Sequence, residues 1–214
     1  MGEVKESVTQ VDDRTSKIVR SRTCGCRDFY AAKVTQNDAT GYVAGVPVKL
    51  ARAIKAKIDE KWTSEKIYSD DSPEDVINSY EGTDVELEVN ALAPQDRAML
   101  FGQLYENGFL VKSSEDQAPE VAIGWRDRRL NGKYEFHWLY AGKFAEGISE
   151  ESQTKEGKLS PTTKTIKGSF YERNLDNRYQ ISVDESNLLE ENTDAKTAIE
   201  NWFAKVQEKD KANG

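Results

Sequence analysis

The fold class is decided by residues 121–140, VAIGWRDRRLNGKYEFHWLY. Both ends of this stretch are rich in β-branched and aromatic residues, which are typical of β-strands. Between them lies Asn131-Gly132, the dipeptide that most favours a two-residue hairpin turn, because both residues tolerate positive φ angles. The stretch therefore predicts two antiparallel strands, Val121–Trp125 and Tyr134–Tyr140, joined by a tight turn.

Strand patterns continue on both sides of this hairpin. In the clearest one, Val85, Leu87 and Val89 alternate with acidic residues, so one face is apolar and the other is acidic. Residues 50–62 stay open between helix and strand, because their apolar residues recur both at a spacing of four and in alternation. Four further strands are predicted: Phe29–Thr35, Tyr42–Val48, Thr165–Tyr171 and Arg178–Val183. The last two of these are predicted to pair with each other around a turn at Asn174–Asn177.

Two helices are predicted, near the middle and at the end of the chain. The first begins at Pro94, which suits the first turn of a helix, and ends at Asn107-Gly108, where a left-handed residue can stop it. The second is capped by Thr193 or Asp194 and carries an apolar stripe at helical spacing. We expect this stripe to pack on the chain's own β domain; it consists of Ala195, Ala198, Ile199, Trp202, Phe203 and Val206.

These elements predict an all-β domain with a flanking helix and a C-terminal amphipathic helix. The first 28 residues are polar and show no sustained apolar period, so they are expected to form an N-terminal arm. The predicted organisation is an arm over residues 1–28, the β domain over residues 29–190, and the terminal helix and tail over residues 191–214.

Charge and hydropathy exclude several classes of protein. The 30 Lys and Arg residues are outnumbered by 38 Asp and Glu residues, which gives a formal net charge of −8. This balance argues against a general DNA- or RNA-binding protein, because such proteins neutralise phosphates with cations. No apolar run of about 18 residues and no secretory signal occurs, so no membrane partner is expected.

The sequence carries no motif that predicts catalysis. G-x-S-x-G, H-E-x-x-H, the P-loop and G-x-G-x-x-G are all missing. Cys24, Cys26 and the single histidine, His137, are too few for a four-ligand zinc site. His137 is interpreted as an ordinary surface or interface histidine. We therefore predict no enzyme activity, no catalytic residue, no cofactor and no metal site.

Two polar segments and one basic cluster are candidate contact surfaces. Lys61–Tyr80, which contains a strong turn signal at residues 70–73, and Gly147–Thr163 are predicted to be long polar loops. Arg126, Arg128 and Arg129 form a basic cluster beside the hairpin. Such a cluster suits either phosphate binding or pairing with a neighbouring acidic surface.

Several motifs follow one another in order along most of the chain. Upstream of the hairpin they are Tyr30-Ala31-Ala32-Lys33-Val34, Tyr68-x-Asp70-Asp71 and Val85-x-Leu87-x-Val89. Around the hairpin they are Asp116-x-Ala118-Pro119-x-Val121-Ala122-Ile123-Gly124-Trp125, Asn131-Gly132-Lys133-Tyr134 and Trp138-Leu139-Tyr140-x-Gly142-Lys143-Phe144. Downstream they are Glu151-x-Gln153-Thr154-Lys155 and the segment from Pro161 to Gly168-x-Phe170. In this order and spacing, residues 29–183 resemble the major tail proteins of long-tailed, non-contractile bacteriophages.

The resemblance implies a tail-tube fold, in which two packed sheets form a β-sandwich or barrel flanked by a helix and residues 50–62 are a strand. It implies six-membered rings that stack into the hollow tail tube through which DNA passes into the host. The implied partners are other copies of the chain, the tail-terminator and tail-tip proteins, the tape measure protein, and transiting DNA that is not tightly bound. The implied location is the virion tail, after assembly in the cytoplasm of the host bacterium.

Candidate site residues follow from this resemblance and from the charge pattern. Asp84, Glu86 and Glu88 are candidates to line the lumen, where acidic side chains would repel DNA phosphates and let the DNA slide. An outer strand face in contact with water explains the same pattern. The candidates for contacts between subunits are Lys61, Trp62, Tyr68, Asp70, Asp71, Gln153, Lys155, Arg126 and Arg128.

A function of another class also fits the residues. A monomeric β-sandwich module could recognise a protein or a carbohydrate through the aromatic residues of Tyr134–Tyr140. A tube subunit should assemble and bury these rings, whereas a binding module should stay monomeric and expose some of them.

Overall fold

In the computed structural model, the described residues are 18–50, 52–69, 72–145, 147–150 and 163–209. Within them the chain is mostly antiparallel β-sheet with two short helices, α1 (Pro94–Phe101) and α2 (Thr193–Glu200), which confirms the all-β class. The strands are β1 (Thr23–Asp38), β2 (Gly41–Ala44), β3 (Val48–Lys49), β4 (Ala53–Ser69), β5 (Ser72–Val89), β6 (Leu104–Glu106), β7 (Phe109–Val111), β8 (Val121–Arg129), β9 (Tyr134–Lys143), β10 (Ile148–Glu150), β11 (Lys164–Tyr171) and β12 (Gln180–Asp184).

Seven strands form one continuous antiparallel sheet in the order β2–β1–β8–β9–β11–β5–β4. Strands β3, β10 and β12 pair with β1, β11 and β9, and β6 and β7 form a separate two-stranded sheet. The sheet curls so that β4 comes back towards β1, where Cys26 and Ala56 pack against the same apolar core. Its concave side encloses the first of two apolar cores.

The hairpin predicted from residues 121–140 is present as β8 and β9, with Trp125 paired to His137. Its turn differs from the prediction in one detail. The Arg129 N–H donates to the Lys133 carbonyl at 2.9 Å, so the loop contains three residues, and its last residue, Gly132, has a φ of 84°. Three-residue hairpin loops place a glycine at this left-handed position.

The first core confirms the alternation predicted for β5. Val85, Leu87 and Val89 are each at most 1% exposed and belong to one cluster with Leu100 and Phe101 of α1. Helix α1 therefore covers one end of the curled sheet, as the predicted flanking helix was expected to do.

Helix α1 is shorter than predicted, and the prediction that it ends at Asn107-Gly108 is wrong. It ends at Phe101 because Gly102 adopts a φ of 71° and donates its N–H to the Ala98 carbonyl at 3.0 Å. Asn107 and Gly108 instead have φ angles of 51° and 84° and form the two-residue turn between β6 and β7. Asn-Gly favours both a helix stop and a hairpin turn, and an earlier glycine had already ended the helix.

The second core lies on the other face of the β1–β8–β9 layer and is covered by the C-terminal segment. Helix α2 ends at Glu200, so the prediction that the helix continues to Val206 is wrong. Trp202 and Val206 lie in the irregular segment beyond it and are nevertheless 1% and 7% exposed, in one cluster with Phe136 and Trp138. Of the predicted stripe, Trp202 and Val206 are buried, and Ala198, Ile199 and Phe203 are partly buried against the same core, so the expectation that the stripe packs on the chain's own β domain is confirmed for these residues.

The predicted pairing of the last two strands is wrong. Strand β11 pairs with β9 at Ala141–Lys143, and β12 pairs with the same edge of β9 at Glu135–Leu139. The two strands therefore continue one another along β9, interrupted by the turn over residues 172–179. Within this turn the Arg173 N–H donates to the Arg178 carbonyl at 3.0 Å, which closes a local loop and returns the chain to the same edge.

Two other strand predictions are decided by the structure. Residues 53–62 are part of strand β4, so the open choice between helix and strand is resolved as strand. Strand β1 begins at Thr23, six residues before the predicted start at Phe29. The polar N-terminal half of β1 did not show a strand pattern, because its exposed faces need no apolar alternation.

Replacing Gly124 of β8 by alanine is expected to destabilise the fold by about 1–3 kcal/mol. A Cβ atom on Gly124 would lie 2.6–2.8 Å from three ring carbons of Trp138, which is fully buried and cannot move aside. The matched control is Gly45→Ala, whose Cβ would lie 3.4 Å from the Lys33 carbonyl. Urea unfolding of both variants measures the effect, and equal midpoints would contradict it.

Candidate assembly surface

Strands β4 and β5 form a hairpin that extends past the rest of the sheet. Strand β11 pairs with β5 only at Thr83–Val89. Beyond that, residues 61–69 of β4 and 72–82 of β5 pair only with each other in the part of the chain that the structure describes. This two-stranded segment is called the arm below and is distinct from the predicted N-terminal arm of residues 1–28. It is about 30 Å long at about 3.4 Å per residue. The prediction that Lys61–Tyr80 is a loop is therefore wrong.

The arm exposes large apolar side chains. Trp62, Val76 and Ile77 are 51%, 48% and 49% exposed. A two-stranded hairpin in water is only marginally stable by itself, and its outer edges offer free backbone donors and acceptors to another chain. The arm therefore has the physical properties of a segment that gains stability by contact with a second molecule.

Three aromatic rings join the base of the arm to the turn before β12. The Tyr80 and Tyr179 rings stack with centroids 4.1 Å apart, and the Trp62 ring meets the Tyr80 ring edge-on at 5.3 Å. Burial raises the pKa of Tyr80 to about 12, and its hydroxyl lies 2.7 Å from the Thr83 hydroxyl. This cluster holds the arm against the sheet and leaves about half of Trp62 open to solvent.

Asp84, a predicted lumen residue, is paired with Lys61, a predicted subunit contact. The Ser169 hydroxyl also donates to Asp84 Oδ1 at 3.1 Å. The hydrogen bond from Lys61 keeps the pKa of Asp84 below its ordinary value. The structure therefore brings together two residues that the sequence assigned to different surfaces.

The other two predicted lumen residues also face lysines. Glu88 lies opposite Lys55, and Glu86 lies between Lys57 of β4 and Lys167 of β11. Alternation puts all these side chains on the sheet face that points away from the core. On strands β4, β5 and β11 this face, called the charged face below, carries as many lysines as acids: Lys55, Lys57, Lys61 and Lys167 beside Asp59, Asp84, Glu86 and Glu88.

The hairpin of β6 and β7 presents a second apolar surface. Leu104, Phe109 and Val111 are 57%, 73% and 51% exposed. Leu104 pairs with Val111 and Glu106 pairs with Phe109, so the three apolar side chains share one face of the hairpin. Sequence reasoning missed this surface because it assigned residues 104–106 to a helix; the Asn107-Gly108 turn was the signal that could have found it.

The basic cluster beside the β8–β9 hairpin is divided between different contacts. Arg126 binds Asp28, with 2.6 Å between Nη2 and Oδ2, and its guanidinium lies 4.4 Å from the centre of the Tyr134 ring. Arg129 binds Glu135 and, at 3.3 Å, Asp184. Arg128, the other predicted subunit contact here, is exposed.

Of the remaining residues predicted to contact other subunits, the structure describes the backbone of only Tyr68. Tyr68 lies in β4, where its backbone pairs with Pro73. Asp70, Asp71, Gln153 and Lys155 lie outside the described residues, as does most of the predicted loop Gly147–Thr163, whose first residues form β10 instead.

The prediction that His137 is an ordinary surface or interface histidine is wrong, because the residue is only 8% exposed in the single chain. Its ring stacks on Trp125 with centroids 4.9 Å apart, and its Nε2 lies 3.5 Å from Asp127 Oδ2. No group of three or more His, Cys, Asp or Glu side chains in the described residues could hold a metal ion. In the same residues, no helix is long and apolar enough to cross a membrane.

No model of a known protein family matches the chain, and no curated protein matches it.

Proposed function

We propose that this chain is a structural virion protein that assembles into stacked rings, forming the tail tube of a long-tailed, non-contractile bacteriophage. The resemblance of residues 29–183 to the major tail proteins of such phages suggests this function. The partners would be other copies of the chain, the terminator and tip proteins of the tail, and the tape measure protein. The subunit would need no cofactor and would perform no catalysis.

The observation that carries the proposal is the arm formed by β4 and β5. It combines unpaired strand edges with the exposed side chains of Trp62, Val76 and Ile77. Both features lower the stability of a subunit that stays monomeric. Contact with a neighbouring copy would pair the edges and bury these side chains. The lysines of the edge strand β4 would discourage uncontrolled pairing while the chain is still free.

The two exposed apolar surfaces differ from each other, which favours a ring. The arm and the β6–β7 hairpin come from different parts of the chain and have different shapes and sequences. A contact that joins two different surfaces of identical subunits is head-to-tail, and such contacts close into rings when the rotation allows it. A symmetric dimer would require one self-complementary surface instead.

The charged face gives the proposal an electrostatic basis for DNA passage. If Asp84, Glu86 and Glu88 face the lumen, the neighbouring lysines cancel their charge locally. Lysines that are already paired with carboxylates release few counterions on meeting phosphates, so they bind DNA weakly. The lumen would therefore let DNA slide mainly because its charges are balanced, rather than because it is strongly acidic.

The alternative, a monomeric binding module, would need another surface than the one first considered. Phe136, Trp138 and Tyr140 are at most 5% exposed, so these rings of the Tyr134–Tyr140 strand are core residues. Among the side chains that the structure describes, Trp62 and Phe109 are exposed and would be aromatic candidates. The two functions are separated by the oligomeric state.

Negative-stain electron microscopy of the concentrated protein tests the proposal directly. We expect rings or hollow tubes of uniform width. Ile77→Lys in the arm should abolish them and leave Tm within about 2 °C, because Ile77 is 49% exposed in the free chain. The matched control, Leu130→Lys, changes a residue that is 69% exposed at the tip of the β8–β9 hairpin and should still assemble.

Two outcomes would count against this assignment. Tubes formed equally well by Ile77→Lys would exclude the arm as the contact surface. A wild-type protein that stays monomeric at every concentration by light scattering would favour the binding module.

A further inference from the structure

A cavity of about 560 Å³ opens beside the N-terminal half of β1, where β3 and β4 approach it. Four of its lining side chains are cationic, Arg27, Lys49, Arg52 and Arg126, and one, Asp28, is acidic. The chain as a whole carries a net charge of −8, so a local excess of cations is unexpected here. Such an excess in a concave site attracts anions and raises their local concentration.

Asp28 neutralises only part of this charge. Its Oδ1 accepts from Lys49 Nζ at 2.5 Å, and its Oδ2 accepts from Arg126 Nε at 2.8 Å. Burial raises the pKa of Asp28, but the hydrogen bonds from Lys49 and Arg126 outweigh burial, and the pKa lies below its ordinary value. One ionised carboxylate therefore holds two of the four cations in place.

The other two cations, Arg27 and Arg52, are exposed and form no ion pair in the described residues. Arg27 lies directly opposite Arg126 in the β1–β8 ladder, where like charges destabilise a strand pair. Asp28, which lies next to Arg27, has a φ of 52°, a left-handed conformation that non-glycine residues seldom adopt. Backbone strain and like-charge repulsion therefore coincide at one cavity, and an anion bound there would relieve the repulsion.

We propose that this cavity binds a small oxyanion, a phosphate or a carboxylate, between the guanidinium groups of Arg27 and Arg52. The planar guanidinium group matches both ligands, because it can donate two parallel hydrogen bonds to two oxygens. The buried Phe29 forms an apolar wall of the cavity, which reduces the screening of these contacts by water. The net negative charge of the chain opposes a long polyanion. The proposal does not depend on the tail-tube function.

Thermal unfolding with inorganic phosphate as the probe tests this site. If Kd is about 1 mM, 50 mM phosphate should raise Tm by roughly 5–9 °C relative to sodium chloride of equal ionic strength. Phosphate also stabilises proteins by being excluded from their surfaces, so the readout is the difference between variants. Arg27→Gln and Arg52→Gln should each lose most of the phosphate-induced shift, because each removes one of the two guanidinium groups that would hold the anion. Both residues are exposed, so their replacement should leave the fold intact.

The control for these variants is Lys33→Gln, which removes an exposed cation from the same strand outside the cavity. It should keep the full phosphate shift. An equal shift in wild type, Arg27→Gln and Arg52→Gln would overturn the proposal.

Asp28→Asn provides a test with the opposite sign. The variant removes the competing carboxylate, and asparagine tolerates the left-handed backbone at this position. Its Tm without phosphate should fall, whereas its phosphate-induced shift should exceed that of the wild type. A smaller shift in Asp28→Asn than in the wild type would contradict a cationic anion site.

The natural source of the oxyanion is distinguished by varying the protein concentration without added phosphate. If an acidic side chain of a second copy occupies the cavity, Tm should rise with protein concentration more steeply in the wild type than in Arg52→Gln. If the site takes a free anion, Tm should depend on concentration equally in both proteins. Both concentration dependences are compatible with the oxyanion site if the phosphate-induced shift of the wild type exceeds the shifts of Arg27→Gln and Arg52→Gln. If these three shifts are equal, the proposal is overturned whatever the concentration dependence.

Discussion

Arg173→Ala is expected to cost about 3–5 kcal/mol of stability and to lower Tm by about 10 °C or more. Arg173 is 2% exposed and lies between β11 and β12. Its Nε and Nη2 donate to the two carboxylate oxygens of Asp176 at 2.7 and 2.8 Å, and its Nη1 donates to Glu208 at 2.5 Å. Its guanidinium also lies 4.3 Å from the centre of the Tyr140 ring. Alanine would leave Asp176, itself a buried carboxylate, without its main partner.

Denaturant unfolding of Arg173→Ala beside Arg128→Ala measures this effect. Arg128 is an exposed arginine of β8, and its replacement should change stability by less than about 0.5 kcal/mol. Arg173→Lys should fall between the two, because lysine keeps the charge and loses the paired hydrogen bonds. A loss below about 1 kcal/mol for Arg173→Ala would contradict the structural role assigned to this pair.

The same pair predicts a change in the response to acid. The hydrogen bonds from Arg173 hold the pKa of Asp176 below its ordinary value. The contribution of the ionised Asp176 carboxylate to the stability of the fold is therefore complete above the pKa of about 3.9 that an aspartate has in the unfolded chain. This contribution is lost as the pH falls through the lower pKa of Asp176 in the folded chain. Arg173→Ala should accordingly show a shallower loss of stability than the wild type below about pH 4. An unchanged slope would show that the carboxylate is stabilised by other groups.

Trp202→Ala is expected to cost about 3–5 kcal/mol, because it opens a large cavity in the second core. Trp202 is 1% exposed, and its ring centroid lies 5.6 Å from that of Phe136. Its indole N–H donates to the His137 carbonyl at 3.3 Å, and its own carbonyl accepts from the Trp138 indole at 3.1 Å. The side chain thus fastens the C-terminal segment to β9, and its removal should loosen that segment as a whole.

The control for Trp202→Ala is Lys205→Ala, three residues along the same segment and exposed. Thermal unfolding at low protein concentration should show a large loss of Tm for the first variant and almost none for the second. If Trp202→Ala kept its Tm and only lost the ability to assemble, the C-terminal segment would act as an interface element instead of a core element.

Local patterns predicted the strands that carry buried apolar residues. The alternation of Val85, Leu87 and Val89 predicted β5, because burial of one sheet face leaves a period of two in the sequence. Strands β8 and β9 are buried on both faces, and the continuous runs of β-branched and aromatic residues around Asn131-Gly132 predicted them. In the arm, residues 61–66 and 76–81 are mostly exposed on both faces, so this period is absent there. Residues 61–80 were therefore taken for a loop.

Identical dipeptides had different outcomes, for reasons that lie outside the dipeptide. Asn107-Gly108 forms a two-residue turn, whereas Asn131-Gly132 is part of a three-residue loop. The difference arises from how the flanking strands pair, which depends on contacts distant in the sequence. Strand pairing by distant contacts is also the reason why the interruption between β11 and β12 was not predicted. There Arg173 stabilises the turn through the carboxylates of Asp176 and Glu208.

Local patterns were enough to predict the all-β class, the buried residues Val85, Leu87 and Val89 of β5, and the alternation that places Asp84, Glu86 and Glu88 on one strand face. Which charges lie beside them depends on strand packing, since Lys61 and Lys167 reach that face from separate strands. The tertiary structure also decided that the cations around Asp28 meet at one cavity. The physical reason is that local periodicity reports which side of a strand is buried, whereas the neighbour across a sheet is chosen by long-range packing.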